Sequence, residues 1–358
     1  MARRSGAARR AGGPPARAGL SPRPLVVAED GLAGEVVARA LAAKRRQPLP
    51  QGWGWRACAA GDVVDAAGHQ IPGNQALRAG QRVFIHAAAP DEPGYTGALE
   101  ILWRGEDAVV VAKPAGLATA PRGAFVARSV TVAARRAWGN DHVVPAHRLD
   151  RLTSGCLLLV TDPVARGRYQ QAFARRDVTK TYVALTDAPA NVQVGERMWL
   201  TAQVRHVPGE LAGRIEQAGG GSGMAGAADG AADTDAPAAG RLLACDVLLI
   251  ALEDGRAAWL VTPEGGYTHQ IRATFAAAGM ALAGDPLYGR ATPQVGADGG
   301  LGEWLGLHAA ALDFPTRTGR VRVQAPLPAD WPLSGATRRN IDAEVARILD
   351  RGPTRRES

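Results

Sequence analysis

Short apolar runs divided by glycine and proline breaks run through the chain, and the period of each run predicts the element it forms. Cys156-Leu157-Leu158-Leu159-Val160, entered through Ser154-Gly155, is continuous: long enough for a buried strand, too short for an ordinary helix. Ala108-Val109-Val110-Val111-Ala112 reads the same way and closes in Lys113-Pro114-Ala115-Gly116, a turn that leaves Lys113 at a strand end. Ile101-Leu102-Trp103 is a shorter strand before it. Val178 to Leu185 alternates and is β-branched, the mark of a half-buried strand. Leu242 to Leu252 and Ala257 to Thr262 are two strands joined by a hairpin turn at Glu253-Asp254-Gly255. Helical spacing runs from Leu32 to Lys44, Val130 to Trp138, Ala165 to Arg176, Thr268 to Gly279 and Ile341 to Leu349.

These elements group into regions. Residues 1–23 are Arg, Ala, Gly and Pro with hardly a large apolar side chain, so a disordered basic arm is expected. Residues 24–90 carry one helix and several short Gly-separated strands, a small α/β module. Residues 91–98 read as a linker, 99–330 as the main body, and 331–358 as a terminal helix and tail. Residues 209–240 are Gly, Ala and Asp-rich and read as a flexible insertion. Gly219 to Gly223 lack the preceding strand and following helix of a phosphate-binding loop, so no nucleotide cofactor is expected.

Composition narrows the class. Hydrophobic residues make up 46% of the 358, enough for a sizeable core, and no apolar run approaches a membrane span. Cys58, Cys156 and Cys245 are far apart and without metal-ligand spacing, so buried free thiols in a reducing cytoplasm are expected. The seven histidines are scattered as well, and no metal is expected. Net charge is +8, but it resides in the tails. Residues 1–23 hold six Arg, and 351–358 hold three Arg and one Glu. Between them stand 33 basic and 33 acidic residues. Basicity alone therefore does not establish nucleic-acid binding, and any such surface on the body must be a local patch.

The candidate chemistry centres on Pro145-Ala146-His147-Arg148-Leu149-Asp150-Arg151-Leu152-Thr153-Ser154-Gly155. Asp150 sits in a loop that feeds straight into the apolar strand, flanked by Arg148 and Arg151, so its carboxylate can stay ionised close to apolar walls. Such a group serves as nucleophile or base where water is excluded. Taken alone, the stretch equally suits a solvated loop with ordinary turn chemistry. The order His-Arg-Leu-Asp-Arg-x-Thr-Ser-Gly followed by an apolar strand resembles the aspartate motif of the RluA-type family of RNA pseudouridine synthases. Four further segments resemble that family in its order: Lys113-Pro114-Ala115-Gly116; Lys180-Thr181-Tyr182-Val183-Ala184; Thr268-His269-Gln270-Ile271-Arg272 with Gly284-Asp285-Pro286-Leu287-Tyr288-Gly289; and Leu307-His308-Ala309 through Phe314. Two departures stand out: Tyr267 where the family has Arg, and Thr274 where it has His.

The resemblance implies an α+β pseudouridine-synthase fold over residues 99–330. Its central sheet would be mixed and largely antiparallel, flanked by helices. The N-terminal module is similar to a small RNA-binding module that precedes such domains. The implied reaction is isomerisation of specific uridines in structured RNA, with rRNA slightly favoured over tRNA, by a cytoplasmic monomer without cofactor. The implied catalytic residues are Asp150, Tyr182 and Arg272. Arg272 would pair with Asp150; Tyr182 would stack on a flipped uracil and help remove its carbon-5 proton. Lys113, His147, Arg148, Arg151, Thr153, Lys180, His269 and Gln270 are the expected substrate-binding set, with Arg148 and Lys113 touching phosphates or shaping the site. His308 is expected to be structural. Two other classes compete: a non-catalytic RNA-binding protein on the same fold, and a hydrolase using Asp150 and His269 as an acid–base pair. Missing companion carboxylates weigh against the second.

Overall fold

The all-apolar and alternating runs become strands of one eleven-stranded sheet, and the glycine-rich N-terminal region builds a small unit of its own. The structure is a computed structural model that describes residues 13–45, 48–86, 95–121, 126–206, 212–220, 240–289 and 304–351. Two units result: Met1–Tyr95 with Pro121–Asp141, and Thr96–Ala120 with His142–Ser358.

The first unit contains β1 (Arg23–Val26), β2 (Gly31–Leu32), α1 (Ala33–Arg45), α2 (Trp53–Ala59), β3 (Val63–Val64), β4 (Ala76–Leu77), β5 (Arg82–Ile85) and α3 (Val130–Trp138). β1, β5 and β3 form an antiparallel sheet, and β2 pairs with β4. Val36 and Val37 of α1 pack with Leu25, Val83 and Ile85 over Cys58 of α2. Helix α2 is absent from the sequence expectation, because two glycines and two tryptophans carry no helical signal. Its cause is tertiary: a Cβ at Gly54 would lie 2.2 Å from the Gly34 carbonyl oxygen, so glycine lets α2 cross α1 closely.

Two expectations for this region are corrected. Residues 13–23 are not a disordered arm: Arg17 donates to the Gly61 carbonyl at 2.6 Å, and Arg135 of α3 donates to the Gly19 carbonyl at 3.0 Å and to Ser21 Oγ at 2.9 Å. Hydrogen bonds from the exposed Arg17 and the buried Arg135 to backbone carbonyls supply the ordering that apolar side chains do not. Residues 1–12 and 91–94 lie outside the described residues. The same contacts place 121–141 with the first unit, although the sequence assigns that segment to the main body.

The second unit contains β6 (Glu100–Arg104), β7 (Ala108–Lys113), β8 (Val144–Pro145), β9 (Ser154–Val160), α4 (Arg166–Ala174), β10 (Thr179–Asp187), β11 (Arg197–Arg205), β12 (Arg214–Gly220), β13 (Arg241–Glu253), β14 (Arg256–Pro263), α5 (Gln270–Ala277), β15 (Leu307–Pro315), β16 (Arg320–Gln324) and α6 (Gly335–Arg351). The strand order is β12-β11-β13-β14-β10-β15-β9-β7-β6, with β16 on β15 and β8 on β9. Among the described strands only β9 and β15 pair in parallel. The architecture is thus α+β with a mixed, mostly antiparallel sheet.

β9 is buried along its whole length, as its unbroken apolar run requires. Tyr169 of α4 packs with Cys156, Leu158 and Phe314. Ile341 and Val345 of α6 pack with Val183, Leu185 and Ala310, which extends the body well past residue 330. The hairpin turn falls where expected, with Asp254 at φ 47 and Gly255 at φ 73, the left-handed pair of a tight two-residue turn. The expected insertion is partly strand: 214–220 form β12 on β11, with Arg205 paired to Glu216, while 209–211 and 221–239 lie outside the described residues. Among the described residues no helix is long and apolar enough to cross a membrane.

Candidate active site

A cleft of about 920 Å³ opens in the second unit between the loop before β9, the start of β10, the ends of β11 and β13, and the segment joining β14 to α5. Its floor is built by three elements. The Asp150 loop is tied down by its own backbone and by Thr119, whose Oγ1 donates to the Leu149 carbonyl at 2.8 Å and accepts from the Leu149 amide at 3.1 Å. The Thr153 amide donates to the Asp150 carbonyl at 3.1 Å, closing a turn directly before β9. Strand β10 alternates, so Lys180 and Tyr182 face the cleft while Val183 and Leu185 enter the core under α6. Helix α5 brings Arg272 in its first turn.

Asp150 Oδ2 stands 3.5 Å from Arg272 Nη1 and 3.7 Å from His269 Nε2. Arg272 pairs with Asp150 as expected, and it also grips Asp285 with a two-pronged fork, Nε at 2.8 Å and Nη2 at 2.7 Å, which makes Asp285 its closer partner. Burial alone would raise the Asp285 carboxyl, but the Arg272 guanidinium and the amides of Leu287 and Tyr288 outweigh it and hold it below the usual range. Asp285 lies in a segment the sequence singles out, yet nothing there marks it as a partner for a residue one helix away. Tyr288 belongs to the same segment: its ring lies 5.5 Å from the Arg272 guanidinium and edge-on to His269, and its hydroxyl accepts from the Gly213 amide at 2.8 Å.

Tyr182 lines the same cleft as Asp150 and Arg272. Burial, reinforced by the charge of Asp150, pushes its phenol well above 10, so it is a protonated ring and not a base at neutral pH.

The substrate-binding set divides. Arg148 is exposed on the rim, and His147, Thr153, Lys180, His269 and Gln270 line the cleft. Lys113 does not reach it. Its ammonium is 1% exposed and donates to the carbonyls of Pro114, Leu117 and Arg151 at 2.9, 2.7 and 3.0 Å, all three of its protons. Burial lowers its pKa to about 7. Lys113 therefore braces the Asp150 loop from beneath and touches no phosphate. Arg151 likewise serves through its backbone carbonyl and is not a lining residue. His147 stacks on Phe173 at 4.8 Å and accepts the Leu158 amide at 3.1 Å, and burial depresses its pKa to about 3, so it is a neutral spacer. Gln270 is tied to the protein: its amide donates to the Ala244 carbonyl at 2.8 Å and its oxygen accepts from the Tyr267 amide at 3.3 Å. Lys180 donates to the Gly265 carbonyl, and burial lowers its pKa to about 8. His308 is structural as expected, bonded to Ser154 Oγ at 2.9 Å.

Both departures from the motif have places in the structure. Tyr267 lines the cleft with the Arg241 guanidinium 4.4 Å above its ring, so a cation from β13 stands where none comes from position 267. Thr274 is buried and donates to the Ile271 carbonyl at 3.0 Å within α5. Among the described residues no group of three or more His, Cys, Asp or Glu is placed to hold a metal ion.

Comparison with known proteins adds an independent line. Residues 107–277 match the family described as RNA pseudouridylate synthase. RNA pseudouridine synthase 5 of Oryza sativa subsp. japonica is 25% identical over 339 residues, covering 80% of this chain and 80% of that protein. Ribosomal large subunit pseudouridine synthase D of Xanthomonas campestris pv. campestris is 29% identical over 306 residues, covering 77% of this chain and 81% of that protein. Among solved structures, Human RNA Pseudouridylate Synthase Domain Containing 1 aligns with a TM-score of 0.50 at 25% identity, over 66% of this chain and 86% of the human one.

Proposed function

We propose that this chain is an RNA pseudouridine synthase of the RluA-type family, an isomerase acting on RNA, as its matches to that family support, and that its chemistry takes place in the cleft around Asp150. The observation that carries this reading is the convergence of Asp150, Arg272 and Tyr182 on one cleft from three distant parts of the chain. A uridine inside a helix is out of reach, so the target base flips out, at a cost of roughly a few kcal/mol. The flipped uracil stacks on Tyr182 and brings its ribose to Asp150. The bond from C1′ to N1 breaks and re-forms to C5. This exchange is redox-neutral and intramolecular, so the proposal includes no cofactor. Asp150 either adds to C1′ or takes a proton from the sugar; both routes start from the same carboxylate.

The rim supplies the grip. Arg148, Arg176, Arg205 and Arg241 stand around the opening, which suits phosphates on either side of the flipped nucleotide. We place the substrate in structured RNA and favour rRNA over tRNA, as the name of the Xanthomonas relative suggests. One chain supplies every residue in this scheme, so we propose a monomer. Three buried free thiols suit the reducing cytoplasm.

The test is turnover on unmodified rRNA and tRNA, read by mass spectrometry and chemical labelling. Pseudouridine is expected at one or few rRNA positions, and Asp150→Asn should bind the same RNA and form none. An Asp150→Asn protein with full activity would remove Asp150 from the centre of the scheme, and tRNA as the sole product would refute the rRNA preference.

A further inference from the structure

Asp150 carries two oxygens in unequal surroundings. Arg272 Nη1 and His269 Nε2 both approach Oδ2, and among the described residues Oδ1 has no hydrogen-bond partner. Three features single out His269. Its backbone is left-handed, at φ 57, where a β-substituted side chain costs about 1–2 kcal/mol and a glycine would not. Its Nδ1 is buried with no partner among the described residues. Its ring is held edge-on at 5.8 Å by Tyr288, itself anchored to the Gly213 amide.

A buried N–H without an acceptor is costlier than a bare lone pair, so the orphaned Nδ1 carries no proton and the proton resides on Nε2. That is the nitrogen facing Asp150. The charged and titratable groups facing the imidazole are Asp150, Arg272, Asp285, His206 and the Tyr288 hydroxyl. Burial lowers its pKa most, Arg272 adds to this, and Asp150 opposes it; the net shift is downward, and the ring is neutral at pH 7. The separation of 3.7 Å is just beyond a hydrogen bond and closes with a small movement of the carboxylate, as contacts in an empty site do on substrate binding.

We propose that His269 is a positioning residue that divides the labour of the Asp150 carboxylate: its Nε2–H, with Arg272, holds Oδ2, and Oδ1 is thereby presented to the ribose. The proposal rests on the reading of Asp150 as the reacting group. Oδ1 then bonds to C1′ while the C1′–N1 electron pair leaves on the uracil ring; C5 bonds to C1′ as the C1′–Oδ1 bond breaks, the freed carboxylate accepts the C5 proton, and N1 takes a proton from water. Alternatively Oδ1 takes the C2′ proton as that same pair leaves, returns it to C2′ when C5 bonds to C1′, and then accepts the C5 proton, with N1 again protonated by water. His269 exchanges no proton with substrate in either route.

Single-turnover rates and RNA affinity would be measured for His269→Gly, His269→Gln and Asp150→Asn. Glycine relieves the left-handed backbone, so His269→Gly should melt at or above the wild-type temperature, bind RNA within about twofold of it, and react about ten- to hundredfold more slowly, as loss of a donor to a charged group predicts. Added imidazole should restore part of the rate. His269→Gln carries an amide N–H near the Nε2 position and should recover most of the loss on a logarithmic scale. A wild-type rate for His269→Gly would overturn the proposal. So would a His269→Gln protein as slow as His269→Gly, with no response to imidazole in the latter. An active Asp150→Asn protein would instead overturn the reading beneath it, whatever the histidine variants do.

Discussion

Arg272 holds Asp285 with two nitrogens, at 2.8 and 2.7 Å, and Asp150 with one, at 3.5 Å. The buried aspartate thus fixes the plane and direction of the guanidinium, and the cleft aspartate receives what is left of it. An arginine so clamped cannot follow the carboxylate or swing into solvent, so Asp150 meets a donor already in place.

Removing the clamp should be costly. Asp285→Ala leaves a buried guanidinium without its counter-ion, and the unfolding free energy at pH 7 should fall by about 3–5 kcal/mol by chemical denaturation. The folded-state carboxyl of Asp285 lies below its ordinary value, so its contribution is complete above the unfolded value of about 3.9 and is lost as pH falls through the lower folded value. The gap between wild type and Asp285→Ala should close over that acidic range.

Lys113 gives the opposite pH signature. Its folded-state pKa of about 7 lies below the ordinary value of 10.5, so the unfolded chain binds more protons between the two. Wild-type stability should therefore gain on Lys113→Met as pH rises from about 7 toward 10, by up to about 1.4 kcal/mol per pH unit. Urea midpoints of both proteins at pH 6, 8 and 9.5 measure it. Because the ammonium faces backbone carbonyls, RNA affinity at pH 7 should change little.

Gly155 should tolerate no side chain. It lies at φ 107 where β9 meets β15, and a Cβ there would stand 2.2 Å from the Ala309 carbonyl oxygen. Gly155→Ala should lose about 3 kcal/mol or more, or fail to accumulate as soluble protein, in thermal unfolding and expression assays.

The N-terminus offers a graded test. Deleting residues 1–12 removes four arginines, so RNA binding should weaken and its salt dependence flatten. Deleting residues 1–23 also removes the acceptors of Arg135, Gly19 and Ser21, and should lower the melting temperature as well.

The main strands, α3, α5 and the Asp254-Gly255 turn were legible because each is coded locally, by period two, helical spacing or a glycine stop. Helix α2 was not, since its Gly54 is explained only by Gly34 across the helix crossing. The site follows the same division. The resemblance to the family's motifs brought out Asp150, Tyr182 and Arg272, but a motif does not say which way a side chain points. Lys113 and Gln270 are spent on carbonyls of the protein itself, and Asp285 is found only by following the Arg272 fork to its end. β12 was hidden because glycine and alanine give an edge strand no pattern to read.

The hydrogen bond between Ser154 and His308 spans 154 residues of chain and sits beside the only parallel pair among the described strands. At about 5–20 residues per second, a ribosome needs about 8–30 s to go from one end of it to the other. During that interval the nascent chain has its Asp150 loop but not the strand that anchors it. Contacts of such sequence separation also form late in refolding. Uridine isomerisation should therefore be among the last properties to return after dilution from denaturant, later than the signal of the locally coded β13–β14 hairpin.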